Sequence, residues 1–173
     1  MAQKISVSDI INSQRKHAEE MIQIGYPRSD EWVREAFAGA QQILGIDEKL
    51  MPRWEWVEQN DMCGDDDDDD KITLGRFVPM EGNILLNKML FYYGTRDVIQ
   101  HVVFHEMSHL AHMISILSTK SNSSRGRKFV RWCTDEQYAH GAAFKKFMKL
   151  CEYQDDVVFA WFNILDERKL INF

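Results

Sequence analysis

From Thr95 to Leu117, apolar side chains return at Val98, Val102, Leu110, Met113 and Leu117, a spacing that predicts one long helix with a buried stripe. Thr95 opens it, and Asp97 puts a negative charge in the first turn, where the helix dipole favours one. This segment constrains the fold more than any other, because four of the chain's six histidines fall on it: His101, His105, His109 and His112. The histidines are either one crowded helix face or a chemical centre. The rest of the chain has to decide between the two.

Around that helix the sequence predicts an α+β fold. Two helical patterns come first, one from Ser8 to about Ile24 and one from Asp30 to Gly45 with Trp32, Val33, Ala36, Phe37, Ala40, Ile43 and Leu44 as its apolar face. Residues 1–50 thus read as a helical layer ahead of a unit spanning 51–173, the whole chain of 173 residues being most economically one compact unit. Strand patterns follow at Trp54-Glu-Trp-Val57, within Lys71–Val78 and at Asn83–Met89, with Met80-Glu-Gly82 as a hairpin turn between the last two. The expected sheet is three-stranded and mostly antiparallel, packed on the histidine helix. The run Asp65–Asp70 repels itself and reads as a solvated loop, as does Ser118–Gly126 with its serines and basic residues. A further helix is expected from Asp135 to Cys151, and a packed apolar one from Asp156.

Apolar residues make up 45% of the chain, enough for a real core, and the net charge of -6 argues against a general nucleic-acid coat. The three cysteines form no C-x-x-C pair, so neither a disulfide framework nor a thiolate zinc site is expected. With no apolar signal core at the start and no run long enough to span a bilayer, the expectation is a cytoplasmic protein without membrane contact.

Residues four apart on a helix share a face and rise about 6 Å, so two imidazoles so placed can converge on one ion. Of the possible pairs, only His105 and His109 enclose a glutamate directly after the first member, as His105-Glu106-Met-Ser-His109. In that arrangement Glu106 lies beside the metal without binding it and can deprotonate water. His112 lies about 10 Å along the axis from His105, and His101 a full turn, about 6 Å, before it, so neither joins the same ion easily. Two downstream residues compete as third ligand, Glu136 and His140. His140 stands in His140-Gly-Ala-Ala-Phe144, with Met148 one turn on, and Gly141 would relieve crowding beside a metal-bound imidazole. A histidine satisfied in the core is the competing reading of His140.

The pattern His105-Glu-x-x-His109 followed by His140-Gly-x-x-Phe144-x-x-x-Met148 resembles the SprT-like zinc metalloproteases, which include Spartan and its bacterial relatives. Gly75-Arg-Phe and Asn83-Ile-Leu-Leu-Asn87 ahead of the motif are similar to theirs too, and the likeness runs from about residue 54 to 150. It implies a zincin-like domain in which Zn²⁺ sits on His105, His109 and His140, with Glu106 as general base of an endopeptidase. It also implies a protein or peptide substrate, and a role on DNA-associated proteins such as DNA–protein crosslinks. Two departures stand out: a long, Ser/Arg-rich gap between His109 and His140, and no cysteine zinc ribbon after them.

An extended substrate would pair through its backbone along an edge strand near 83–87. Weak DNA binding would fall to Arg125, Arg127 and Lys128, flanked by Lys120 and Arg131, and would extend the expected location to a nucleoid or nucleus. Two other function classes fit the same residues: a zinc-stabilised binding module without catalysis, and a metal-dependent hydrolase of a non-peptide bond, RNA included. Glu106 favours catalysis over the first, since a structural site needs no base and usually closes its fourth position.

Overall fold

The computed structural model describes residues 28–62, 72–151 and 156–167. The expected helix from Ser8 and the aspartate run therefore lie outside the described residues.

Helix α1 (Ser29–Leu44) buries Trp32, Val33, Ala36, Phe37 and Ala40 and stops at Gly45, whose N–H bonds the Gln41 carbonyl. Ile43, expected on the buried face, is 45% exposed. Two polar side chains at the helix start fix where it sits. The buried Ser29 hydroxyl donates to the Phe91 carbonyl at 2.9 Å, and Asp30 accepts the Trp56 indole N–H at 2.8 Å.

After a single 3₁₀ turn, Glu48–Leu50, the chain enters strand β1 (Arg53–Val57) and the short helix α2 (Gln59–Met62). Strands β2 (Gly75–Val78) and β3 (Asn83–Asn87) are joined through a turn whose Gly82 has φ 62°, a conformation that a side chain resists. The sheet order is β1-β3-β2, with β3 antiparallel to β2 and parallel to β1. Two sequence expectations change here. Pairing is half parallel, not mostly antiparallel, and residues 83–87 form the central strand, not an edge. The reason is topological: after β1 the chain crosses over before making the β2–β3 hairpin, and β3 inserts between its two partners.

Asn87 ends β3 and caps helix α3 (Lys88–Tyr93), accepting the Met89 N–H at 2.8 Å. The long helix α4 (Arg96–Leu117) follows, with the Thr95 hydroxyl accepting the Val98 N–H as its cap. It is buried on several faces, not along one stripe: Ile99, Val103, Phe104 and Met107 are as enclosed as Val98 and Leu110, while Leu117 is exposed. Helix α1, the sheet and the later helices surround it in a single hydrophobic cluster.

The remaining helices are α5 (Asn122–Thr134), α6 (Glu136–Ala139), α7 (Ala142–Leu150) and α8 (Asp156–Glu167). The expected loop at 118–126 is thus largely helix, capped by Ser121 and anchored by the buried Trp132. The expected helix from Asp135 to Cys151 is broken at His140-Gly141. A Cβ on Gly141 would lie 3.0 Å from the Tyr138 carbonyl oxygen, so this glycine serves the backbone break. Helix α8 buries Trp161, whose indole donates to the Tyr93 carbonyl at 2.8 Å. Among the described residues no helix is long and apolar enough to cross a membrane.

Candidate metal centre

Helix α4 presents His105 and His109, both half-buried, and between them Glu106, which is buried. His140 arrives from the break between α6 and α7. Its backbone N–H and its Nδ1 both bond the Glu136 carbonyl, at 2.9 and 3.1 Å. Donation from Nδ1 leaves Nε2 as the free acceptor of that ring. That nitrogen lies 3.1 Å from His109 Nε2. The three histidines each offer one ligand atom within 4.8 Å of the others, so His105, His109 and His140 can hold a metal ion.

The donor set suits one. Two imidazole nitrogens about 2.1 Å from a tetrahedral ion stand roughly 3.4 Å apart, close to the spacing of His109 and His140. Burial, and then the neighbouring His105, His140 and His112, push the His109 pKa down to about 3, which keeps its ring neutral as a ligand must be. Phe144 packs against all three rings, at centroid distances of 4.9, 4.4 and 4.9 Å from His105, His109 and His140. It holds their orientation through contacts, not charge.

Glu106 is set by β2. The Phe77 N–H donates to its Oε2 at 2.8 Å. Burial raises the carboxyl's pKa to about 7, with the Phe77 hydrogen bond pulling the other way. This approach depends on Gly75: a Cβ there would stand 2.6 Å from Val102 Cγ1 and 3.0 Å from Glu106 Cγ and Oε1. Buried Asn87 fixes the near end of β2 by donating to the Thr73 carbonyl at 2.9 Å, while its backbone N–H bonds the Leu74 carbonyl at 3.0 Å.

The cleft beside these residues holds about 400 Å³ between β2, α4 and α5, with Trp132 and Cys133 on its far wall. Neither was singled out in the sequence, although Phe129 and Trp132 at helical spacing were the available signal for a packed helix there. Of the other candidates, Glu136 is exposed and contributes its carbonyl, not its carboxylate, and it lies outside the histidine group. His101 is buried on the opposite side of Glu106, and His112 bonds the Ala139 carbonyl at 3.2 Å, securing the residue before His140. Tyr138 sits under the Arg131 guanidinium at 4.6 Å and beside His112. Arg125 is half-buried against the Leu117 carbonyl and the Asn122 side chain, whereas Arg127 and Lys128 are exposed on α5. No family model, curated protein or solved structure matches the chain.

Proposed function

We propose that the protein is a zinc-dependent endopeptidase. The observation that carries this reading is the convergence of His105 and His109 with His140, from the break between α6 and α7, beside the buried carboxylate of Glu106. Zinc held by His105, His109 and His140 would supply Lewis acidity and make water a stronger acid. Glu106 would take a proton from water in the cleft as the water oxygen bonds to the peptide carbonyl carbon, and would give it to the amine nitrogen as the C–N bond breaks. The Phe77 N–H keeps the carboxylate aimed at the cleft while it does so. The likeness of the histidine pattern to SprT-like metalloproteases points the same way.

The peptide would lie along β2 and not along the central β3. In an antiparallel ladder the backbone groups of alternate residues face outward. Leu74 pairs with Asn87 through a backbone bond, so Gly75 and Phe77 turn their N–H and C=O groups to the free edge. The Phe77 N–H is taken by Glu106, which leaves the carbonyls of Gly75 and Phe77 for an added strand.

The test is incubation of zinc-loaded protein with a reduced, unfolded protein and, separately, with RNA, beside Glu106→Gln. Fragments of the protein substrate from wild type, and none from a Gln variant with equal zinc content, are expected. Cleavage of RNA alone would assign a different hydrolase. Bound zinc without cleavage of either would leave a binding module.

A further inference from the structure

A second cavity, about 340 Å³, opens on the other side of Glu106, between the approach to β2, helix α4 and helix α8. Gly75, His105 and Glu106 line both it and the metal cleft. His140 and Trp132 belong to the cleft alone, so the cavity lies across Glu106 from them. Apart from the buried His101, its further walls are apolar: Ile72, Leu74, Val102, Val158, Phe159 and Phe162.

Helix α8 does not need all of those residues to stay docked. Ala160, Trp161, Ile164 and Leu165 are buried and hold it, whereas Phe159 is 68% exposed. A phenyl ring left in water at the mouth of a cavity gains when an apolar group covers it. Among the described residues its only carboxylate is Glu106, on the wall shared with the metal cleft and already bonded to the Phe77 N–H, so away from that wall a charged group would lose its hydration with little to replace it.

We propose that this cavity is a specificity subsite, receiving a bulky apolar side chain such as leucine, phenylalanine or methionine next to the bond being cut. The proposal rests on the metal reading above and adds the substrate class. A carbonyl placed at the three histidines has the cavity within one residue's reach, because the two spaces share His105 and Glu106 as a common wall. Phe159, Val158 and Phe162 then set the preference, and Phe159 closes over the occupant.

Hydroxamates of increasing tail size test the subsite without requiring catalysis, because the head group binds zinc and the tail reports on the cavity. Zinc-loaded wild type should bind 3-phenylpropionohydroxamate and 4-methylpentanohydroxamate about 10- to 100-fold more tightly than acetohydroxamate, the gain expected for burying one apolar side chain. In Phe159→Lys, a change at an exposed position, the preference should shrink to about threefold or less, with zinc content unchanged. Peptide-library products of wild type should carry Leu, Phe or Met beside the cut. Equal binding of all three tails to wild type, or an undiminished preference in Phe159→Lys, overturns the subsite. Failure to bind zinc overturns it together with the metal reading. A tail preference without any peptide cleavage supports the subsite and overturns only the peptide reading.

Discussion

Replacing Gly75 by alanine should loosen the joint between β2 and α4. The added methyl would stand 2.6 Å from Val102 Cγ1, whereas carbon atoms in contact prefer about 3.5–4.0 Å, so roughly 1 Å of separation must be found. Val102 is buried and β-branched on a helix, which leaves it little freedom to turn away. The strand must move instead, and the 2.8 Å bond from the Phe77 N–H to Glu106 stretches with it. Overpacking of this kind costs about 1–3 kcal/mol, and a buried acceptor losing its donor a further 1–3 kcal/mol or so. Against this, alanine restricts the unfolded chain by only about 0.4–1 kcal/mol, so the collision wins. A net loss of about 2–4 kcal/mol should lower the unfolding midpoint by roughly 5–15 °C in a chain of this size. Thermal unfolding should be measured for Gly75→Ala in wild type and in Val102→Ala, where the colliding Cγ1 is gone. The substitution should cost at least about 1 kcal/mol less in the second background. An equal cost in both, or no cost in wild type, would refute the close approach.

Metal quantitation should show most zinc lost from His140→Ala and most retained by Glu136→Ala, since only the carbonyl of Glu136 is engaged. In metal-free protein, Glu106 titrates near 7 against an ordinary 4.5, so the stability it contributes is present in full below pH 4.5 and lost as pH rises through 7. That loss amounts to about 3 kcal/mol; Glu106→Gln should therefore out-melt wild type at pH 8.5 in EDTA and nearly match it at pH 4.5, and an equal difference at both would remove the burial argument. Changing Arg125, Arg127 and Lys128 together to Glu should abolish any weak, salt-sensitive DNA binding, read by anisotropy at two ionic strengths; equal affinity in both proteins would take DNA out of the account.

The sequence was most legible where the determining interactions are local. Gly45 stops α1 and the Thr95 hydroxyl caps α4 through bonds within a few residues, and both boundaries were expected. Strand pairing has no such local code. The alternation in Trp54-Glu-Trp-Val57 marks a strand but does not name its neighbour. The choice of β3 as the parallel partner follows from a crossover whose path periodicity does not record. Helix α5 was hidden for a different reason. Its first turns are serines and basic residues that favour loops, and what holds it is Trp132, packed at 6.2 Å from both Phe77 and Phe129 and 6.3 Å from His109. Tertiary contact overrode weak propensity there.

The candidate centre divides along the same line. His105, Glu106 and His109 could be grouped from spacing alone, because a helix converts sequence distance into direction. Helix spacing nominates His140 and Glu136 alike, and only the His-Gly-x-x-Phe context and the family resemblance favour His140, since the geometric choice depends on where the helix breaks. The break at Gly141 turns the His140 ring so that Nδ1 bonds back to the Glu136 carbonyl and Nε2 points at His109. In an unbroken helix the two candidates would sit one turn apart on the same face, and either could reach an ion. The break therefore does what the residue types cannot: it spends the Glu136 carbonyl on orienting the imidazole and leaves the Glu136 carboxylate in solvent. His112, bonded to the Ala139 carbonyl, ties that break to the helix bearing the other two histidines, so the spacing of all three depends on a contact that neither segment reveals on its own.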